Sequence, residues 1–378
     1  MSRFTKFSVV VPLIALSSIL AYSFNVLATQ PLDGFEGHPP IHVKGNSTSA
    51  PTGLSPSQIR TVYNLPSTGG SGTIAIIDAY DNPKAESDLN VFSQQFGLPS
   101  CTTANGCFEK HPMINKVHSD SGWALEESLD VQWAHAIAPN AKILLVEAKS
   151  ASGNDLLAAV DYARNRSGMV AISMSWGGSE FSGEASYDYH FTNSSGTIFF
   201  ASSGDNGTGV SWPAVSSNVV GVGGTTLNFN PDGSFGSETA WSGSGGGLSL
   251  YETQPNYQAT YGVTDANGKR AVPDVSYDAN PASGVSVYDS FAYQGQTGWF
   301  KIGGTSAGAP QWAAIRALGI TASNVNFYAD AANTVGGSYG AHFRDIISGT
   351  NGTCGFYCST AANYDYVTGL GSPLTVGF

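Results

Sequence analysis

Charged residues are scarce in this sequence. Asp, Glu, Lys and Arg make up 12% of its 378 residues, against about 25% in an average soluble protein. Disorder requires low hydrophobicity and high charge, but 41% of the residues are hydrophobic, so the chain is not a disordered acidic one. Basic residues are rarest, with 16 Lys and Arg against 28 Asp and Glu and a formal charge of −12. Because no basic stripe is available to neutralise phosphates, we expect no nucleic-acid partner.

Long apolar runs are also lacking, apart from one near the N terminus. Residues 7–27 are mostly apolar and follow Arg3 and Lys6, and Val26-Leu27-Ala28 has small residues at both positions that determine cleavage. This pattern predicts a secretory signal peptide over residues 1–28 and therefore a secreted protein without membrane contact after cleavage. A retained membrane anchor is the alternative, since the run is almost long enough to span a bilayer.

Only four cysteines occur, in two local pairs. Cys101 and Cys107 enclose five residues, and Cys354 and Cys358 enclose three. In an oxidising compartment each pair would close its own disulfide. A four-cysteine zinc site is the alternative, but such sites favour tighter spacings and the pairs are far apart in sequence.

The chain after the signal divides into two parts. Residues 29–54 are rich in Pro, Gly, Ser and Thr without sustained periodicity, and they are predicted to form an extended lead-in. Residues 55–378 are predicted to form one large domain, which we expect to be monomeric.

Strands and helices alternate in the first half of this domain. Short apolar, β-branched runs predict buried strands at 73–78, 143–147, 170–175, 197–202 and 219–222, and helical patterns lie at 85–96, 121–135, 156–164 and 183–192. This alternation predicts an α/β fold with a doubly wound, mainly parallel sheet and helices on both faces. Residues 226–300 are predicted to be loops and hairpins, and a last helix is expected to open near Thr305.

A serine opens that last helix. Ser306 stands in Gly-Gly-Thr-Ser-Ala-Gly-Ala-Pro, at a first helical turn whose free N–H groups would stabilise a developing oxyanion. A plain helix cap with small packing residues is the simpler interpretation. A catalytic role for the serine would require a general base.

The helix at 121–135 offers two kinds of base. Glu126 and Asp130 are four residues apart and share one face, whereas His135 is nine beyond Glu126 and points the other way. Two neighbouring carboxyls share a proton in acid, since the second ionisation is opposed by the first. Glu126 is therefore predicted to be the base and Asp130 its partner, and Glu127 is expected to face solvent. A neutral-pH peptidase using His135 is the rival interpretation.

Several motifs of the sequence resemble those of a known family. The likeness runs from about Ser55 to Pro373, and its motifs are E-E-S-L-D-V-Q-W-A-H, S-M-S-W-G-G, S-S-G-D-N-G, W-S-G-S-G-G-G-L-S, V-P-D-V-S, G-G-T-S-A-G-A-P and T-G-L-G-S-P. Together they resemble the sedolisin family of serine-carboxyl peptidases. The resemblance implies a subtilisin-like, three-layer α/β/α fold and endopeptidase activity on protein or peptide substrates in acid, with a Ser-Glu-Asp triad.

The resemblance also implies roles for single residues. The nucleophile corresponds to Ser306, the base to Glu126, the acid that orients the base to Asp130, and the oxyanion-hole acid to Asp205. A protonated Asp205 at the end of a strand would donate a hydrogen bond to the oxyanion.

Further positions match residues that lie behind the catalytic pair in the family. The acid Asp78 and Trp176 take those places, and Gly177-Gly178 would form part of the edge to which an extended peptide adds as a strand. Asp274 is expected to be structural.

One Ca²⁺ ion is the cofactor that the resemblance implies. Its ligands correspond to the carboxylates of Asp345 and Asp365 and the carbonyls of Ile346, Ala361 and Asn363. Hard oxygen donors of this kind suit Ca²⁺. The family usually has glycine at the last two carbonyl positions, so this loop departs from the pattern.

The resemblance fails in one respect, because family members commonly carry a long prosegment and only residues 29–54 stand in its place here. A secreted, non-catalytic scaffold that keeps the fold is therefore the second functional hypothesis.

For the peptidase, ordinary carboxyl pKa values place the working pH at about 4 to 5. Few basic groups then mean little self-repulsion in acid.

Overall fold

The computed structural model describes residue 1, residue 32 and residues 34–320, 323–332 and 339–374. The signal predicted over residues 1–28 lies outside the described residues, apart from Met1. Among the described residues, no helix is both long and apolar enough to cross a bilayer.

Seventeen strands are described. They are β1 (His42–Val43), β2 (Thr73–Ala79), β3 (Phe108–Pro112), β4 (Lys142–Ala148), β5 (Met169–Met174), β6 (Gly178–Ser179), β7 (Ile198–Ser202), β8 (Ser211–Trp212), β9 (Val219–Phe229), β10 (Phe235–Ala240), β11 (Gly247–Thr253), β12 (Lys269–Val272), β13 (Val275–Asp278), β14 (Val285–Tyr293), β15 (Gln296–Gly303), β16 (Phe343–Arg344) and β17 (Ser372–Pro373).

Eight α-helices are described. They are α1 (Pro56–Val62), α2 (Ala85–Phe96), α3 (Ser121–Ile137), α4 (Gly153–Arg164), α5 (Asn256–Tyr261), α6 (Gly308–Ala317), α7 (Asn324–Ala332) and α8 (Tyr339–His342). Among the 3₁₀ helices are Glu184–Phe191 and Thr305–Ala307.

The central sheet has eight strands in the order β10-β9-β7-β5-β2-β4-β3, with β13 paired to β9. All its pairings are parallel except that of β10 with β9. Alternate residues of β2 enter different cores: Ile74 and Ile76 pack with α3 and α6 residues, and Ala75 and Ile77 pack with α4 residues. This arrangement confirms the predicted doubly wound α/β fold with helices on both faces.

The second half of the chain is more ordered than predicted. Between 226 and 300 the expected hairpins include β14 and β15, but β13 is a parallel strand of the main sheet and α5 is helical. A 3₁₀ turn at Thr305–Ala307 precedes α6, and α7 and α8 follow. The expectation that the helix near Thr305 is the last one was therefore wrong.

Asp274 holds this half together, as expected for a structural acid. Its carboxylate accepts hydrogen bonds from the guanidinium of Arg270, from the Gly221 amide at 2.8 Å and from the Tyr328 hydroxyl at 3.0 Å. Both members of the ion pair are fully buried. A buried pair of this kind is stable only when both partners are present.

Both local cysteine pairs form disulfides, Cys101 to Cys107 and Cys354 to Cys358. No thiolate is left on these four residues to bind zinc. The prediction of two local disulfides is therefore confirmed.

Candidate active site

Helix α3 brings the two predicted carboxyls into the centre of the molecule. It begins after Asp120, whose side chain accepts hydrogen bonds from the amides of Gly122 and Trp123. Every residue from 123 to 137 is buried, because the helix packs against β2 and β14 and between α2 and α6. Glu126 and Asp130 have no exposed surface. Burying two acids in this way costs free energy unless they are protonated or paired with other polar groups.

Ser306 meets this helix from the other side. It lies in the 3₁₀ turn before α6, it is fully buried, and its carbonyl accepts a hydrogen bond from the Ser175 hydroxyl at 3.3 Å. The Ser306 hydroxyl lies close enough to the Glu126 carboxyl to lower the pKa of that acid, although no strict hydrogen bond is formed. The structure thus brings together the serine and the carboxyl pair that the sequence predicted.

Burial dominates the electrostatics of the pair. It raises the pKa of Glu126 and of Asp130 well above the usual range, and the charge of Asp78 adds to both shifts. The interaction between the two carboxyls then acts in opposite directions, raising the pKa of Asp130 and lowering that of Glu126. The two carboxyls therefore titrate as a coupled pair, in which one proton can be shared between them.

Asp78 lies beneath the pair at the carboxyl end of β2. Its side chain is fully buried, and burial followed by the charge of Glu147 raises its pKa well above the usual range. Trp176 is also fully buried, and its indole N–H donates to the Ile77 carbonyl at 2.9 Å. Asp78 is close enough to the pair for its charge to affect both carboxyls, whereas Trp176 packs in the core between the sheet and α4.

Asp205 stands on the other side of Ser306. Its Oδ1 accepts hydrogen bonds from the amide and the hydroxyl of Thr305, both at 2.8 Å. Burial raises its pKa, and the hydrogen bond from His42 and those from Thr305 oppose that rise. The acid is therefore fixed next to the nucleophile, and its surroundings exert opposing influences on its pKa.

His42 is a neighbour that the sequence did not reveal. Its Nε2 lies 3.2 Å from Asp205 Oδ2, and this contact raises the pKa of the histidine. The residue belongs to the predicted lead-in, which has no periodicity or motif from which a place in the site could be read.

Glu127 does not face solvent, and that expectation was wrong. The side chain is fully buried, and burial, followed by the charges of Glu147 and Asp78, raises its pKa well above the usual range. The physical reason is that α3 is covered on all sides, so it has no solvent face. Glu147 accepts a hydrogen bond from the Asn82 amide at 2.9 Å and lies 2.7 Å from Lys110 Nζ.

A sequence signal for Glu147 did exist. Asp78 and Glu147 are register partners in the parallel strands β2 and β4, and the carboxyl ends of neighbouring parallel strands lie at one edge of the sheet.

His135 lies away from the serine. Its Nε2 is 2.9 Å from the Pro99 carbonyl oxygen, and one ring nitrogen lies within 4.8 Å of the Cys101 and Cys107 sulfurs. Burial lowers its pKa, which further disfavours a charged form. The rival interpretation with His135 as the base is therefore contradicted.

The C-terminal loop brings together the residues predicted to bind calcium. The carboxylate of Asp365 accepts from the Ala361 amide at 3.2 Å, and that of Asp345 accepts from the Asn363 amide at 3.0 Å. Asn363 adopts a left-handed backbone with φ of 66°, which asparagine tolerates where the family has glycine. Ile346 follows Asp345 directly and is buried. Both carboxylates therefore face the same short turn, a donor set of hard oxygens that fits Ca²⁺.

Comparison with known proteins places the chain in a class. Residues 116–333 match the model of the subtilase family. The chain therefore belongs to the subtilase family. Within that family, similarity to sedolisin and kumamolisin supports the sedolisin family.

Two relatives align over most of the chain. Sedolisin from Pseudomonas sp. (strain 101) is 28% identical over 89% of this chain, and kumamolisin from Bacillus sp. (strain MN-32) is 29% identical over 88%. The chain covers 63% and 64% of their respective lengths, which is less than two thirds of these relatives.

Solved structures agree with this assignment. Pseudomonas sedolisin, described as a serine-carboxyl proteinase complexed with two molecules of pseudo-iodotyrostatin, superposes with a TM-score of 0.70 at 28% identity. The alignment covers 87% of this chain and 96% of the other. The S41 psychrophilic protease shares the fold, with a TM-score of 0.53 at 21% identity. The predicted subtilisin-like, three-layer fold and the predicted family are thereby confirmed.

Proposed function

We propose that this protein is an acid-active, serine-type endopeptidase that forms an acyl-enzyme on Ser306. The single observation that carries the proposal is a buried serine next to a buried pair of carboxyls, Glu126 and Asp130, with His135 of the same helix turned away. A serine hydroxyl is a weak nucleophile and needs an adjacent base. Here the base is a carboxylate.

Glu126 takes the proton of Ser306 as the hydroxyl attacks the substrate carbonyl. The same carboxyl then gives that proton to the leaving amine, and water repeats the sequence to release the acyl group. Asp130 keeps its own proton and donates it in a hydrogen bond to Glu126, which holds the base in orientation. The two side chains are four residues apart on α3 and fully buried, and each affects the pKa of the other, which supports their action as a pair.

Asp205 and the Ser306 amide would stabilise the tetrahedral oxyanion. A carboxyl acts as a donor only while it is protonated, and burial raises the pKa of Asp205 toward that state. Thr305 fixes the carboxyl through two hydrogen bonds to Oδ1, and Oδ2, which lies 3.2 Å from His42 Nε2, is the oxygen that would donate to the substrate. Such a preorganised donor is worth about 10²-fold to 10³-fold in rate.

This chemistry works best in acid. Glu126 must be ionised while Asp130 and Asp205 retain their protons, and the second condition fails as the pH rises through the pKa of Asp205. The low content of Lys and Arg limits the positive charge of the protein under those conditions.

Proteins and peptides are the proposed substrates. The Gly177 backbone pairs antiparallel with His38, so this edge accepts an extended chain as an added strand. The likeness to a proteinase solved with pseudo-iodotyrostatin bound supports the same class of substrate.

We further propose that residues 55–378 form the peptidase domain and that the protein is secreted as a monomer after removal of residues 1–28. The two disulfides fit an oxidising compartment.

Covalent capture tests the function against the alternative of a non-catalytic scaffold. A peptide aldehyde or phosphonate incubated with the protein near pH 4 is expected to modify Ser306, as detected by mass spectrometry of the digested chain. Ser306→Ala is expected to remain unmodified. Absence of modification, with the inhibitor active on a control acid peptidase, would favour the scaffold.

We also propose one Ca²⁺ ion in the C-terminal loop. The carboxylates of Asp345 and Asp365 and the carbonyls of Ile346, Ala361 and Asn363 would hold it. The ion would neutralise two nearby acids, of which Asp365 has its pKa raised to about 6 by burial. Its role is to stabilise the loop and not to take part in the reaction.

Calcium removal should lower thermal stability. At a Ca²⁺ concentration of about 100 Kd the ion adds about 2.7 kcal/mol, which corresponds to several degrees in Tm for a domain of this size. Scanning calorimetry of Ser306→Ala with and without a chelator measures this difference. Asp365→Asn should abolish it, whereas Asp232→Asn, in the exposed turn between β9 and β10, should keep it. Equal Tm values with and without calcium would contradict the site.

A further inference from the structure

The acid Asp205 opens an irregular loop. Residues 205–209, the oxyanion loop, lie between β7, which ends at Ser202, and β8, which begins at Ser211, and they belong to neither strand. Thr305 fixes the carboxyl of Asp205, but the backbone of the oxyanion loop is held by hydrogen bonds to other segments. The place of the acid beside the nucleophile therefore depends on those segments.

Asn351 is one of the residues that hold the oxyanion loop. Its carbonyl accepts a hydrogen bond from the Thr208 amide at 3.0 Å, and the neighbouring Gly207 amide donates to the Gly243 carbonyl at 2.9 Å. Gly207 has a φ of 74°, and a Cβ added there would lie 2.6 Å from the Asn351 carbonyl oxygen. The oxyanion loop thus rests on the backbone of Asn351 at residues that closely follow Asp205.

The side chain of Asn351 reaches the second support of the oxyanion loop. The residue is 4% exposed, and its Nδ2 donates to the Ser244 carbonyl at 2.8 Å. Ser244 follows Gly243, which accepts from the loop, and the Ser244 hydroxyl accepts from the Gly224 amide of β9 at 2.8 Å. Asn351 therefore joins the loop to the segment that holds its other end. A buried carbonyl that lost this donor would remain desolvated and unpaired, which costs free energy.

The Cys354–Cys358 disulfide closes the turn beside Asn351. The Asn351 amide donates to the Cys358 carbonyl at 3.0 Å, and the Thr208 hydroxyl of the oxyanion loop lies 3.7 Å from the Cys354 sulfur. Residues 353–356 are exposed, so this turn is not part of the core. The cross-link therefore restrains the turn on which the oxyanion loop rests.

We propose that Asn351 is a positioning residue for the reaction, which holds the oxyanion loop so that Asp205 stays directed at the oxyanion, and that the Cys354–Cys358 turn keeps Asn351 in place. The inference rests on the proposed peptidase function. Asn351 acts through Asp205 and not on the reacting atoms. An oxyanion donor works only at hydrogen-bonding distance from the place that the oxyanion will occupy, so a small displacement of the loop lowers the rate of the reaction.

Asn351→Ala tests this role, because it removes the donor to Ser244 and keeps the backbone contact with Thr208. Near pH 4 it should lower kcat toward a peptide substrate by about tenfold and leave KM within about twofold of the wild-type value. Asn351→Asp should retain most of the activity at that pH, since a buried carboxyl keeps its proton and donates where the amide did. Steady-state kinetics measures both constants. A wild-type kcat in Asn351→Ala, or a loss confined to KM, would overturn the inference.

A double-mutant cycle shows whether Asn351 acts through Asp205. Asp205→Ala removes the oxyanion donor and should lower kcat by about 10²-fold to 10³-fold. Adding Asn351→Ala to Asp205→Ala should lower kcat no further, because the loop then carries no acid to position. A further decrease of about tenfold would contradict the inference, since Asn351 would then support another part of the molecule.

The two disulfides provide a matched pair of variants, which also decides the matter if Asn351→Ala does not fold. Cys354→Ser with Cys358→Ser should lower kcat by about threefold or more. Cys101→Ser with Cys107→Ser removes the other disulfide, which is not next to the oxyanion loop, and should leave kcat unchanged. Equal kcat values for the two double variants would contradict the inference.

Hydrolysis by the wild type separates this inference from the proposed function. If the wild type hydrolyses the peptide and Ser306→Ala does not, the peptidase function stands whatever the Asn351 variants show. Absence of hydrolysis that depends on Ser306 would overturn the proposed function and this inference with it.

Discussion

Glu126→Gln should lower kcat toward a peptide substrate by about 10³-fold to 10⁴-fold. The glutamine side chain has nearly the same size, but its amide cannot take the proton of Ser306 and cannot return it to the leaving amine. Substrate binding depends on the cleft and not on this buried side chain, so KM should change little. Steady-state kinetics in acid measures both constants.

The matched control for this experiment is Glu127→Gln. Glu127 is the next residue on α3 and is equally buried, but its charge neighbours are Glu147 and Asp78 and not the serine. This variant should retain most of the activity. A Glu126→Gln protein that is as active as the Glu127→Gln protein would remove Glu126 from the mechanism.

The protein should be most stable in acid and should lose stability as the pH rises toward neutrality. Burial raises the pKa values of Asp78, Glu126, Glu127, Asp130 and Glu147 in the folded state. In the unfolded chain the same groups titrate near about pH 4. Between that pH and the raised values, the folded state binds more protons than the unfolded state, so the free energy of unfolding falls with pH.

The expected slope is large. Each proton retained only by the folded state costs about 1.4 kcal/mol per pH unit, so two such protons give almost 3 kcal/mol per unit. Denaturant unfolding of Ser306→Ala, which cannot digest itself, at pH values from about 4 to 7 measures this slope. Adding Glu127→Gln should reduce it by about one proton. Stability that rises between pH 4 and 7 would contradict the burial of these acids in neutral form.

Local patterns in the sequence were sufficient for the central sheet. The strand from Thr73 was predicted to Asp78 and extends to Ala79, and the helix at 85–96 has the predicted bounds. Helical spacing also placed Glu126 and Asp130 on one face and His135 on another. These predictions succeeded because apolar periodicity and spacing are local properties of the chain.

Predictions failed where burial depends on distant partners. Glu127 has the composition of a solvated helix position, but the sheet, α2, α6 and β14 together leave α3 without a solvent face. The strand Val275–Asp278 was missed because it is four residues long and its pairing with β9 is a long-range one. His42 gave no signal, since its place beside Asp205 depends on the pairing of β1 with β15, far along the chain.

The scarcity of basic groups suits a protein that works in acid. In acid the carboxylates lose charge, and 16 Lys and Arg in the full chain generate only modest repulsion. The same conditions keep Asp130 and Asp205 protonated, as the proposed mechanism requires, and burial raises the pKa of both. Composition and active site are therefore suited to the same medium.

The pH profile of kcat/KM, measured for wild type beside Glu126→Gln from about pH 3 to 8, tests the central claim most directly. The account predicts a wild-type maximum in acid that falls toward neutral pH, and a Glu126→Gln profile that is lower throughout. A wild-type maximum at or above neutral pH, or a Glu126→Gln profile equal to that of the wild type, would contradict a carboxylate base acting on Ser306.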